Sequence, residues 1–179
     1  KTMGATITNQ TKQPRIYVAC LAAYNNGILH GAWIDAAQEP WALWDVVSAM
    51  LAGSPITGAE EWAIHDHEGF GVRLGECASL DHVAALAAFI AEHGELGAAI
   101  LDHCSGDLDE AREAMDGRYL GQHASLADYM QEVTEETTEV PASLRYYIDY
   151  QAMARDAEIS GDLFTVQTAW DAFHVFAGA

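Results

Sequence analysis

The first close pair of histidines, with metal-binding chemistry, is His65 and His67, two positions apart in EEWAIHDHEGF. On a strand that spacing points both imidazoles to one side. A zinc site, however, needs a third and fourth ligand at recognisable spacing. None follows, so the pair reads as the polar face of a strand. Asp102, His103 and Cys104 set three catalytic residue types in a row. Adjacent side chains diverge on a helix, so these three do not make a nucleophile–base–orienter array among themselves. SGDLDEAREAMDG has the carboxylate content of a calcium loop but lacks the D-x-[DN]-x-[DN]-G order of an EF-hand. GxGxxG, P-loop, GxSxG and HExxH patterns do not occur. No metal, cofactor or catalytic residue is therefore assigned.

The densest chemistry is anionic. ADYMQEVTEETTEVP, residues 127–141, carries Asp128, Glu132, Glu135, Glu136 and Glu139 and no Lys or Arg; the flanking basic residues are Arg118 and Arg145. Ordinary soluble helices interleave carboxylates with cations at i, i+4 for a small gain in stability. The imbalance runs through the whole chain of 179 residues: Asp plus Glu is 27, Lys plus Arg is 8, and the net charge is −19. Arg73 is the only basic residue between Ile16 and Ala111, and none follows Arg155. Such a chain repels nucleic acid and anionic membrane and attracts basic surfaces. Neither nucleic acid nor membrane is expected as a direct partner. A solubility device or an adaptation to high salt is the competing explanation of the charge.

These anions need elements to position them. Half of the residues are hydrophobic, enough for real cores. The polar leader, residues 1–13, is expected to be disordered and lacks the apolar centre of a signal peptide. No apolar run is expected to span a bilayer, and the compartment expected is the cytoplasm. Cys20, Cys77 and Cys104 are odd in number and widely spaced, which speaks against a disulfide framework. Residues 14–74 read as a small α+β unit: a strand over Ile16–Leu21, a turn at YNNG, and a returning strand over Ile28–Asp35. A helix follows from Pro40, with Trp41, Trp44, Val47, Met50 and Leu51 at helical spacing, and then a third strand around Trp62. Residues 75–119 read as all-α, with Ser79 as N-cap, Gly94 as a stop, and two shorter helices beyond. Residues 120–179 read as α+β: a helix over residues 125–139 with an apolar stripe of Leu126, Tyr129, Met130 and Val133, more helix, then two short strands. Trp33, Trp41, Trp44, Tyr146, Tyr147 and Tyr150 read as core or interface, because base-stacking aromatics need neighbouring cations.

PRIYVACLAAYNNGILHGAWIDA, EEWAIHDHEGF and RYYIDYQAMARDAEISGD together resemble the ArdA antirestriction family, over about Pro14 to Phe176. The resemblance implies a mimic of double-stranded DNA that occupies the DNA-binding groove of type I restriction–modification enzymes and spares incoming mobile DNA. It implies an elongated row of three small domains, a homodimer formed through the last of them, and no enzymatic activity. Residues 125–139 correspond to the segment called the antirestriction motif. The carboxylates expected to face the target are Asp81, Glu92, Glu95, Asp107, Asp109, Glu110, Glu113, Asp116, Asp128, Glu132, Glu135, Glu136 and Glu139.

The charge suits that implication. B-DNA carries about one negative charge per 1.7 Å of axis. A dimer with twice the net charge of −19 matches about 65 Å of duplex at that density. Carboxylates at i and i+4 on a helix are about 6 Å apart along the axis, close to the spacing of successive phosphates on one strand. The rival readings are an inhibitor of a different basic DNA-binding protein, a thiol-dependent enzyme using Cys104 or Cys77, and a salt-adapted structural protein.

Overall fold

The computed structural model describes residues 13–178. The expected leader lies, apart from Gln13, outside them. The fold is mixed α and β, with six helices and two three-stranded sheets among the described residues. The described residues up to Ala98 form one compact unit, and those from Ala99 a second.

The first unit is built on β1 (Arg15–Cys20), the central strand of an antiparallel sheet ordered β2-β1-β3. Ile16, Val18 and Cys20 are fully buried, the period of two that one covered sheet face demands. Between β1 and β2 (Gly31–Asp35) the YNNG turn is larger than a tight hairpin. A short helix, α1 (Leu21–Asn25), takes in its Tyr24 and Asn25, and Gly27 takes the positive φ. β3 (Trp62–Glu68) pairs with β1 through a bulge. Asp66 faces Tyr17 and Ile64 faces Val18, so His65 is the extra residue.

Pro40 opens α2 (Pro40–Ala52), as its fixed φ favours. The buried face is Leu43, Val47 and Met50. Trp41 and Trp44 are exposed, 67% and 46%. Of the residues expected at helical spacing, Val47 and Met50 are buried and Leu51 is half-buried, while Leu43 takes the place of the two tryptophans on the buried face.

α3 (Leu80–His103) is interrupted at Gly94, whose φ of 62° and ψ of −139° no helix contains. The expected stop is thus a break between two arms. Leu80, Val83, Leu86, Ala87, Phe89 and Ile90 bury the first arm in the core of its unit. By length and composition α3 is apolar enough to cross a bilayer, contrary to the expectation that no segment would be. The break frees backbone groups that hydrocarbon would leave without partners, and Glu92 and Glu95 flank it.

In the second unit, α4 (Leu108–Glu113) continues through a wide helical turn, Ala114–Arg118, into β4 (Tyr119–His123). α5 (Leu126–Thr137) and α6 (Tyr150–Ser160) follow, then β5 (Leu163–Ala169) and β6 (Ala172–Ala177). The sheet is antiparallel, ordered β4-β6-β5, and Trp170 and Asp171 make the β5–β6 turn. Leu126 and Ala127 of α5, Ala154 of α6 and Val175 of β6 form a small buried cluster that Tyr129, Met130, Tyr150 and Leu163 extend.

Candidate functional surface

α5 arises from a capped amphipathic sequence. The Ser125 hydroxyl accepts from the Asp128 N–H (3.1 Å) and donates to the Asp128 carboxylate (2.7 Å), a reciprocal cap that fixes the first turn. Leu126 and Ala127 are buried and Tyr129, Met130 and Val133 half-buried, which leaves Asp128, Glu132, Glu135 and Glu136 on the exposed side. The rise from Asp128 to Glu136 is about 12 Å. One DNA strand carries three to four phosphates over that length, at 3.4 Å each. The four carboxylates of α5 therefore match the linear density of a single strand.

Among the described residues, none of their polar partners is Lys or Arg. Gln131 donates to Glu135 (3.0 Å), and His123 Nδ1 lies 3.3 Å from Glu132. No basic residue sits in the last turn of α5, where one would favour the helix dipole. The helix ends at Thr137, with Thr138 extended, and Val140 precedes Pro141, which disfavours helix there. Glu139, expected on the helix, thus lies beyond it.

The other expected residues divide by unit. Asp81, Glu92 and Glu95 belong to the first unit. Asp81 is exposed in the first turn of α3, Glu92 is exposed, and Glu95 is only half-buried. In the second unit Asp107, Asp109, Glu110, Glu113 and Asp116 are all exposed around α4. Asp107 has a structural duty that sequence reading did not assign: its Oδ1 accepts from the Asp109 and Glu110 N–H groups, both at 3.0 Å, and caps α4. Asp109 meets Arg112 at 3.6 Å, an exposed pair of little energetic weight.

Sequence reading passed over further exposed acids, including Glu39, Asp45 and Asp156. They stand singly and formed no run that would have drawn attention. Of all 27 carboxylates, every one except Glu68 and Glu95 belongs to an exposed residue.

The thiol and metal chemistries are not assembled. Cys104 is buried, and burial followed by the Glu110 charge pushes its thiol up despite Arg118, which suppresses the reactive thiolate. Cys77 is exposed. Its side chain has no hydrogen-bond partner among the described residues. The β3 bulge sends the two histidines to different surroundings. His65 packs edge-on against Tyr24 with ring centroids 4.8 Å apart, while His67 Nε2 accepts from the Leu74 N–H at 3.1 Å. Among the described residues no three His, Cys, Asp or Glu side chains converge on a point that would hold a metal.

The acidic side chains are thus held outward, and no metal-holding cluster assembles among the described residues. The chain belongs to the ArdA antirestriction family: residues 16–172 match the family described as Antirestriction protein (ArdA). Members of that family are inhibitors rather than enzymes, and their partners are restriction enzymes. No curated protein matches the chain.

Proposed function

We propose that this protein imitates double-stranded DNA and competes for the DNA-binding groove of a type I restriction–modification enzyme, so that incoming mobile DNA escapes cleavage. The observation that carries the reading is α5, where four carboxylates stand at the charge density of one DNA strand with no Lys or Arg among them. Cations on this face would repel the Lys and Arg of the target groove and neutralise the anions that attract them. The i, i+4 ion pairs that would have supported α5 are absent for that reason.

The reading includes a homodimer through the C-terminal region, an elongated three-part body, and action in the cytoplasm, where the target meets DNA. Leu144, Tyr146, Tyr147, Ile159 and Trp170 support the dimer. All are more than half exposed, and a contiguous patch of such side chains would mark a protein interface. Sedimentation should give twice the chain mass, and Tyr147→Asp should shift it toward the monomer. A monomer at all concentrations would exclude the dimer.

The deciding experiment is competition between the protein and labelled duplex for purified type I enzyme over a salt series. Inhibition should weaken steeply as salt rises, as protein–DNA affinity does. Inhibition unchanged across a several-fold rise in salt would overturn the electrostatic account. Displacement of duplex from some other basic DNA-binding protein, with no effect on the restriction enzyme, would move the assignment to that target.

A further inference from the structure

Charge mimicry leaves one feature of the first unit unexplained. Between the start of α2 and the first arm of α3 lies an open trough of about 730 Å³. Its floor is alanine, including Ala84, Ala88 and Ala91 of α3, and its wall is the Trp41 indole. Glu39 and Asp81 stand on the rim, and no lining residue is basic. DNA has no counterpart to an apolar trough, so imitation alone gives no reason to leave one open.

The trough is set before any ligand arrives. Asp35 Oδ1 accepts from the Ala37 N–H at 3.0 Å, and the Gln38 side chain donates to the Asp35 carbonyl at 2.6 Å. Glu39 precedes α2 without making a capping hydrogen bond, which leaves its carboxylate for another partner. Trp41 is two-thirds exposed, and no aromatic ring or cation packs on it among the described residues.

We propose that this trough docks a basic amphipathic helix of the target enzyme. The inference rests on the proposed function and adds to it a contact that DNA itself does not make. Alanine side chains are short, so a helix can approach the floor closely. From Asp81 to Ala91 the floor runs about 15 Å, close to three helical turns. Apolar side chains of the incoming helix fill the trough, as in other helix-in-groove recognition. Its flanking Lys or Arg meet Glu39 and Asp81, and an Arg can lie over the Trp41 face. The charge of the rim selects a basic helix over a neutral or acidic one.

Ala88→Glu separates this contact from mimicry. Ala88 is exposed, so the larger side chain does not enter the core, and circular dichroism checks that the fold is kept. An added anion should strengthen a pure DNA mimic. Docking predicts the reverse: the side chain blocks the trough, and inhibition of the type I enzyme weakens at least fivefold. Trp41→Ala should weaken inhibition several-fold while leaving its salt dependence unchanged. Wild-type potency in both variants overturns the trough while leaving the proposed function standing. Loss of self-association in Ala88→Glu with inhibition unchanged also overturns it, in favour of a second copy as occupant. If the wild-type protein fails to compete with duplex at all, the parent reading falls and the inference with it.

Discussion

The two units spend their residues differently. Residues 1–98 hold 11 carboxylates against four basic residues, a net of −7, while residues 99–179 hold 16 against four, a net of −12. Of the largest fully buried side chains, only Phe176, Ile100 and Leu101 lie past Ala98. Of the five large apolar side chains more than 80% exposed among the described residues the balance reverses: Tyr146, Tyr147, Ile159 and Trp170 are in the second unit and only Leu29 is in the first. The first unit is organised around its interior and the second around its surface. The second gives up core volume for charge, and its remaining apolar surface is what an interface would cover.

Core truncation tests this contrast most sharply. Leu43 is fully buried in the first unit, and Leu43→Ala should cost about 3 kcal/mol. Leu126 sits in a cluster of only four buried residues with 7% of its surface exposed. Its neighbours can relax into the gap, so Leu126→Ala should cost about 2 kcal/mol. Urea unfolding measures both. Equal losses would mean that the second core is as tightly packed as the first, and the contrast would fail.

A smaller effect comes from Gly161, which ends α6 in the left-handed conformation at φ 80°. That position relieves the last turn of α6 before the chain enters β5. Gly161→Ala should cost about 1 kcal/mol, seen as a lower urea midpoint with an unchanged slope. No loss would show that the second unit has enough slack to absorb a strained cap.

Much of the first unit is legible in the sequence because its signals are local and agree with one another. Pro40 and Gly53 bracket α2, Ser79 and Gly94 bracket the first arm of α3, and Ile16, Val18 and Cys20 alternate on β1. On α2 the spacing places Val47 and Met50 correctly but favours Trp41 and Trp44 over Leu43, because tryptophan weighs heavily in any apolar pattern, although Leu43 is the residue that is buried. The second unit is harder to read. β4 carries Gly121 at φ 124° and a bulge that skips Leu120, and its existence depends on pairing with β6 more than fifty residues away. Composition exposed the anionic surface, and the Ser125 cap with its apolar stripe located α5. Asp107 as a cap and the trough beside Trp41 depend on tertiary placement, which leaves no mark on local spacing.

The pH dependence of the second unit should centre on His174. Its ring is buried in β6 between the Tyr119 hydroxyl (2.9 Å from Nδ1) and the Thr168 hydroxyl (3.0 Å from Nε2). Burial pushes its pKa below the usual value, so the folded state holds it neutral where the unfolded chain already binds a proton. The stabilisation is complete above the ordinary histidine pKa of about 6.5 and is lost as pH falls toward the folded value. The melting temperature should drop between pH 7.5 and 5.5, and His174→Gln should flatten that drop while lowering stability at pH 7.5. An unchanged pH profile in the variant would assign the acid sensitivity to other groups.

The smallest expected effect is the most informative about α5. Glu135→Gln removes one of four charges from the row, and its side-chain oxygen can still accept from Gln131. An attraction summed over many weak contacts should lose less than about threefold in inhibition, and the slope of affinity against salt should fall by no more than about one unit. Replacing Asp128, Glu132, Glu135 and Glu136 together should multiply these losses, because each carboxylate acts through the same field. The four-fold variant needs Ser125 intact, since Asp128 also closes the helix cap, and circular dichroism separates lost charge from lost helix. A single substitution that abolished inhibition with α5 still folded would point instead to one localised contact. The strand-like density of α5 would then be incidental to binding.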